Sequence, residues 1–244
     1  MFDELGFRWR AAMRWSLPAW HRRRSLDAIA HELTDDGRRR LAGIRARFDF
    51  SRWEACCSPQ AWRESLYALD VVDQHLRLEL PAGRALDVGA KNGAMLAGLA
   101  TALPCGWDAV ELDAHRRYLW GSTRRVYGEA VAAAFPGCRF IAGDVRSLEG
   151  PWAAVTWFLP FLTPAPLEAW GLPARFLAPL ELLRHVTSRV APGGVLLVVN
   201  QGEHEASLQE ALFEQVGGSL TRLGRIDSPL SPFRLPRFGW RWQP

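Results

Sequence analysis

The chain has 244 residues, of which 48% are hydrophobic and 23% charged, and this composition excludes a disordered or fibrous protein. Its 30 basic residues include a single lysine, Lys91, so 29 are arginine, and the formal net charge is +4. The basic excess lies wholly within residues 1–50. An arginine bias is typical of phosphate-binding proteins and also of a GC-rich genome, and the modest net charge favours the genomic explanation for most of it.

The first 58 residues form a predicted helical N-terminal extension, and residues 59–244 form the predicted main domain. Within residues 2–17, apolar residues recur at helical spacing. These residues are Phe2, Leu5, Trp9, Ala12, Met13 and Leu17. Pro18 ends this segment because the residue before a proline avoids the helical conformation.

Signals for further helices precede residue 82. We expect helices starting near Arg22 and near Asp35, and Ser51 with Glu54 has the spacing of a capping box. Ser58 followed by Pro59 predicts a helix that runs to about Leu76. Its predicted apolar face consists of Trp62, Leu66, Leu69, Val72 and Leu76.

After residue 82 short apolar runs alternate with helical segments. The predicted strands are 84–88, 107–112, 139–143, 153–159 and 194–200. The predicted helices are 93–103, 114–134, 176–190 and 204–217. This alternation predicts an α/β fold with a mostly parallel, Rossmann-like sheet of seven strands and helices on both faces. Residues 220–227 and 238–242 predict its last two strands, as an antiparallel hairpin at a sheet edge.

Three acids stand at the predicted ends of the first three strands. Asp87 precedes a loop with Gly89 and Gly93, and glycines there let a ligand approach the backbone. Glu111 ends the second strand, where an acid can accept hydrogen bonds from ribose hydroxyls, and Asp144 ends the third strand. The G-x-x-x-G spacing differs from the G-x-G-x-x-G of dinucleotide-binding loops, and the acid before the loop would repel a pyrophosphate.

From about residue 60 onward the chain resembles the class I S-adenosylmethionine-dependent methyltransferases. Asp87, Gly89 and Gly93 match the family's motif D-x-G-x-G-x-G, and the Pro192-Gly193-Gly194 turn matches the usual entry into strand five. The resemblance implies S-adenosylmethionine as cofactor and a set of cofactor-binding residues. That set is Asp87, Gly89, Ala90, Lys91, Gly93, Glu111, Leu112, Asp144 and Val145.

Lys91 departs from the family motif, which has glycine at this position. Its side chain either contacts the cofactor's carboxylate, where a charge-assisted hydrogen bond would be strong, or is a solvated lysine on a loop. Both alternatives remain open from the sequence.

The predicted acceptor side follows strands four and five. Trp157, Pro160 and Phe161 are candidates for contacting the substrate, and the sequence there lacks the polar residue found in relatives that methylate exocyclic amines. Asn200 is a further binding candidate. His204 is the one weak candidate for a general base, although methyl transfer needs mainly in-line alignment of the reacting groups.

Three roles for the N-terminal segment are open. The first is a helical cap over the active site, which we favour because apolar helical faces usually pack on their own protein. The second is an interfacial helix in peripheral contact with a membrane. The third is an RNA-binding arm that stacks bases on Trp9, Trp15 and Trp20.

Four cysteines show no metal-ligand spacing, and we expect no metal site. These are Cys56, Cys57, Cys105 and Cys138, expected to be reduced and buried in a cytoplasmic protein. No secretory signal is apparent, and the longest uncharged run, 151–167, contains four prolines and cannot be a transmembrane helix. The sequence therefore predicts a methyltransferase acting on a small molecule; an RNA methyltransferase and a non-catalytic cofactor-binding protein are the alternatives.

Overall fold

The computed structural model describes residues 2–20, 23–76 and 79–244, and the predicted helix start at Arg22 lies outside these residues. The strands are β1 (Ala85–Val88), β2 (Trp107–Glu111), β3 (Arg139–Ala142), β4 (Trp152–Phe158), β5 (Val190–Gln201), β6 (Ser219–Arg225) and β7 (Arg237–Gln243). The helices are α1 (Phe2–Ala12), α2 (Leu26–Ala30), α3 (Asp35–Arg45), α4 (Trp53–Cys56), α5 (Pro59–His75), α6 (Leu96–Ala102), α7 (Arg124–Ala134), α8 (Pro164–Ala169), α9 (Pro179–Ser188) and α10 (Gly202–Phe213).

The seven strands form one sheet in the order β3-β2-β1-β4-β5-β7-β6. Strands β1 to β5 are parallel, whereas β7 runs antiparallel to both β5 and β6. Val88 at the end of β1 aligns with Val110 of β2 and Trp157 of β4, so these strands end at the same edge of the sheet. The predicted parallel sheet and C-terminal antiparallel hairpin are confirmed.

Helices cover both faces of the sheet. Every residue of β1, β2 and β4 is buried, as expected of parallel strands with helices on each side. One core cluster joins the sheet to α5 and α6, and a second joins its other face to α9 and α10. None of the helices in the described ranges has the length and apolar character needed to cross a bilayer.

Helix α5 begins and ends close to the predicted residues. The Ala61 amide donates to the Ser58 hydroxyl at 3.1 Å, and Pro59 occupies the first turn. All five residues of the predicted apolar face are buried. The helix packs closely on α6 at Gly98, where a Cβ would overlap the carbonyl oxygen of Ser65.

Helices α2 to α4 contribute to the same core as the main domain. Ile29, Ile44 and Trp53 are fully buried in the cluster that contains α5 and the sheet. The boundary between residues 58 and 59 stays a prediction.

Two local predictions are wrong. The Ser51 hydroxyl donates to the carboxylate of Asp49 instead of capping a helix, and α4 begins at Trp53. The helix predicted over 114–134 begins at Arg124, because residues 113–123 form a turn closed by a bridge between Arg117 and Thr123.

The predicted apolar face of residues 2–17 is not a packed face. Helix α1 ends at Ala12, and Leu5, Trp9 and Leu17 are exposed.

The prediction that the cysteines are buried is correct for Cys56 and Cys57. It is wrong for the other two, since Cys105 is exposed and Cys138 is half-buried.

Candidate active site

A cavity of about 400 Å³ lies at the carboxyl ends of the parallel strands. Loops after β1, β2, β3 and β4 line it, together with the first turn of α10. Ligands in open α/β sheets bind at this edge. Eight of the nine predicted cofactor-binding residues line the cavity; these are Asp87, Gly89, Ala90, Lys91, Glu111, Leu112, Asp144 and Val145.

Asp87 is a buried carboxyl group in the wall of this cavity. The Thr156 hydroxyl donates to its Oδ1 at 2.9 Å. The pKa of Asp87 is raised to about 7, mainly by burial; the Thr156 hydrogen bond lowers it and the nearby charge of Glu111 raises it. Near neutral pH this group is therefore poised between its charged and neutral forms.

The loop after β1 needs left-handed backbone at three positions. Gly89 has φ +73°, and a Cβ there would have open space around it. Gly93, with φ +71°, lies against α7, where a Cβ would come 3.1 Å from the Cα of Gly128. Gly93 therefore allows the loop to pack against α7, whereas Gly89 lines the cavity. Lys91 has φ +57°, a left-handed conformation that favours glycine.

Lys91 connects the loop to two acids. Its backbone amide donates to Glu111 Oε2 at 2.8 Å, and its Nζ donates to Glu64 Oε1 at 3.0 Å. Glu64 projects from α5 into the lining of the cavity. Glu64 carries no motif signal in the sequence, because it lies in the middle of a long amphipathic helix.

Glu111 is held in place by backbone and side-chain donors. Its Oε1 accepts the Asp113 amide at 2.9 Å and Arg124 Nη1 at 3.3 Å. Burial raises the pKa of Glu111, while Arg124 lowers it. A carboxylate has about four acceptor positions, so capacity remains for a ligand hydroxyl.

Asp144 forms an ion pair with its neighbour Arg146. Arg146 donates to it from its amide at 2.9 Å and from Nη2 at 2.6 Å. Burial raises the pKa of Asp144, but these hydrogen bonds outweigh burial and hold the pKa below its ordinary value. Asp144 is therefore a carboxylate at neutral pH. Arg146 also pairs with Glu181 at 2.8 Å. No motif in the sequence points to Arg146.

Apolar side chains line the acceptor side. Trp157, Pro160 and Phe161 all line the cavity, as predicted. Leu159 between them has φ +56°, a strained conformation of a kind that often occurs at functional sites. The opposite wall comes from residues 164–176, which were not predicted to contribute; it consists of Pro166, Leu167, Trp170, Leu172 and Phe176.

Polar residues at the end of β5 are arranged differently from the prediction. Asn200 is fully buried beside Gln209, and it does not line the cavity. His204 is exposed on α10 and does not line it either. Glu205 does, and its Oε2 accepts the Gln201 amide at 3.0 Å. Because successive side chains of a helix point about 100° apart, a shift of one residue in the sequence decides whether a side chain faces the cavity.

Helix α1 packs on the segment that forms the apolar wall. The ring of Phe7 meets that of Phe176 edge-on, with centroids 5.0 Å apart. Arg10 donates to Asp113 and to the carbonyl of Gly171, each at 3.1 Å. Helix α1 therefore lies behind the apolar wall of the cavity, and its role as a cap stays a prediction.

Several solved structures have a fold similar to that of this chain. A protein of Methanococcus maripaludis assigned as an S-adenosylmethionine-dependent methyltransferase has 13% identity and a TM-score of 0.50, covering 75% of this chain and 86% of its own. The chain has the fold of the class I S-adenosylmethionine-dependent methyltransferases. A glycopeptide N-methyltransferase solved with S-adenosylmethionine has 11% identity and a TM-score of 0.50, covering 72% of this chain and 94% of its own.

Methyltransferases of this fold differ in their acceptors. A Nostoc punctiforme protein assigned as an O-methyltransferase has 14% identity and a TM-score of 0.50, covering 75% of this chain and 57% of its own. No family model and no curated relative matches the sequence. The resemblance found in the sequence is thus confirmed at the level of the fold, which does not by itself determine the acceptor.

Proposed function

We propose that the protein is an S-adenosylmethionine-dependent methyltransferase that acts on a small, largely apolar molecule. The observation that carries the proposal is a single cavity lined on one side by three strand-end acids and on the other by aromatic and aliphatic side chains. An apolar cavity with a few convergent polar groups is typical of small-molecule sites.

The residues of the first wall fit the cofactor. Asp87 would accept a hydrogen bond from its amino group, Glu111 from the ribose hydroxyls and Asp144 from the adenine amino group. Leu112 and Val145 would pack against the adenine, and Lys91 would pair with the carboxylate. When bound, the cofactor supplies a methyl group that is already activated for displacement.

The second wall excludes water and orients the acceptor. In-line methyl transfer depends mainly on holding the nucleophile in the correct geometry, and rigid aromatic walls do this without a general base. We assign to Glu205 the role of accepting a hydrogen bond from an O–H or N–H group of the acceptor, because its side chain reaches the cavity and that of His204 does not.

Calorimetric titration with S-adenosylhomocysteine tests the cofactor assignment. Binding is expected in the wild type, and absence of binding would overturn the proposal. Transfer of a labelled methyl group is then measured in small-molecule and RNA fractions of a cell extract. Label in the RNA fraction would favour the RNA methyltransferase, whereas binding without transfer to any fraction would favour a non-catalytic protein.

A further inference from the structure

Hydrogen bonds join two surface segments that carry exposed apolar side chains. Ser122 donates to the carbonyl of Pro18 at 2.7 Å, and Arg117 donates to that of Trp15 at 2.6 Å. With the outer face of α1, these segments carry seven of the eight large exposed apolar side chains among the described residues. We call this set the aromatic surface; it consists of Leu5, Trp9, Trp15, Leu17, Trp20, Leu119 and Trp120.

The exposure of these side chains is unusual for this protein. Trp20 is 75% exposed and Leu119 fully exposed, whereas Trp53, Trp62 and Trp107 are completely buried in the core. Clustered exposed apolar groups typically mark an interaction surface.

The exposed side chains of α1 point outward, and a ring contact holds Trp120 in place. Leu5 and Trp9 lie one turn apart on α1, while Phe7 on another face of the helix contacts the body of the protein. At the tip of the 117–123 turn, Trp120 stacks on Tyr118 with ring centroids 4.8 Å apart. The fully exposed Leu119 lies between these two residues in the sequence.

Positive charge accompanies the aromatic surface. Arg8 and Arg14 are exposed, and no ion pair with either is found among the described residues. Glu4, an acid of the same helix, is neutralised by Arg175 at 3.0 Å. Tryptophan and leucine beside unpaired arginines match the headgroup level of an anionic bilayer, since indole rings favour that depth and each nearby arginine adds electrostatic attraction.

We propose that the aromatic surface docks the protein on anionic lipid bilayers. The docked face includes the outer side of α1, whose inner side packs on Phe176 in the cavity wall. Docking would therefore bring the apolar wall of the cavity close to the membrane. The aromatic surface is separate from the cavity, so membrane docking does not depend on methyl transfer.

Sedimentation with phosphatidylcholine vesicles, with and without phosphatidylglycerol, tests the proposal. We expect the full chain to bind the anionic vesicles at least about tenfold more tightly than the neutral ones, with binding weakened by salt. Trp9→Ser combined with Leu119→Ser should lower binding about tenfold. Arg8→Gln combined with Arg14→Gln should remove the preference for anionic vesicles.

Leu235→Ser is the matched control, because Leu235 is 54% exposed but lies outside the aromatic surface. It should bind vesicles like the wild type, and far-UV circular dichroism should show all variants folded. Equal binding by the wild type and the Trp9/Leu119 variant, or no vesicle binding at all, would overturn the proposal. Two other results would also overturn it: a dimer seen by light scattering, or a complex with RNA, if the wild type forms it instead of binding vesicles and the Trp9/Leu119 variant does not form it.

Discussion

Asp87 is the side chain whose charge state depends most directly on the fold. In the unfolded chain its pKa is near 4, and burial raises it to about 7 in the folded protein. The folded state therefore binds the proton more tightly, and the stability contributed by the protonated form is lost as pH rises from about 4 to 7. We expect Asp87→Asn to raise the melting temperature at pH 8, with a difference that shrinks toward pH 4. A lower melting temperature of the variant at pH 8 would contradict a destabilising charge on the buried Asp87.

The same carboxyl group makes cofactor affinity depend on pH. The ionised form holds an ammonium group more strongly than the neutral carboxyl does, because both partners are then charged, so affinity for S-adenosylhomocysteine should rise between pH 6 and 7.5. Asp87→Asn should bind roughly 10- to 100-fold more weakly, the cost of losing a hydrogen bond to a charged group, and with a flatter pH profile. Calorimetry at several pH values measures both effects, and identical profiles would remove Asp87 from the cofactor site.

Lys91 combines a strained backbone with a charged side chain, and two substitutions separate these properties. Lys91→Ala keeps the left-handed strain and removes the ammonium group, so cofactor affinity should fall about threefold to tenfold without unfolding. Lys91→Gly removes both the backbone strain and the ammonium group, and it should be more stable than Lys91→Ala by about 1 kcal/mol. Urea unfolding and calorimetry make the comparison. Wild-type affinity in both variants would show that Lys91 serves only its ion pair with Glu64.

At the scale of the elements, the contact of α5 with α6 positions Glu64 beside the cofactor loop. Gly98 permits this close approach, since a side chain there would meet backbone atoms of α5. Gly98→Ala should cost about 1–3 kcal/mol of the free energy of unfolding. Gly43→Ala on α3 is the control, because open space surrounds that position and alanine should stabilise the helix by about 0.5–1 kcal/mol. Equal urea midpoints for the two variants would contradict the packing described.

At the scale of the whole molecule, residues 1–20 and 26–58 differ in their relation to the core. Deletion of residues 1–20 should leave the fold intact, because none of the described side chains of this segment belongs to either core cluster. Deletion of residues 1–58 should prevent folding, since it removes Ile29, Ile44 and Trp53 from the core. Circular dichroism and thermal unfolding distinguish the outcomes. A stable chain lacking residues 1–58 would instead support the domain boundary predicted from the sequence.

The succession of strands after residue 82 and the start of α5 were predictable because their signals are local. Continuous apolar runs favour buried parallel strands, and the serine and proline at 58–59 start α5 by their own side-chain chemistry. Asp87, Glu111 and Asp144 follow from the same signals, since acids at the ends of parallel strands meet at one edge of the sheet. The sequence by itself thus determined the fold class and one wall of the cavity.

Only the tertiary structure decided how distant segments meet. The pairing of Lys91 with Glu64, the wall formed by residues 164–176 and the choice of Glu205 over His204 depend on helix orientation and on contacts between residues far apart in sequence. The helical spacing of apolar residues in α1 predicted a packed face, but it could not specify which side of the helix meets the protein. The body presents Phe176 and Asp113 to α1, so Phe7 and Arg10 turn inward while Leu5 and Trp9 stay in solvent.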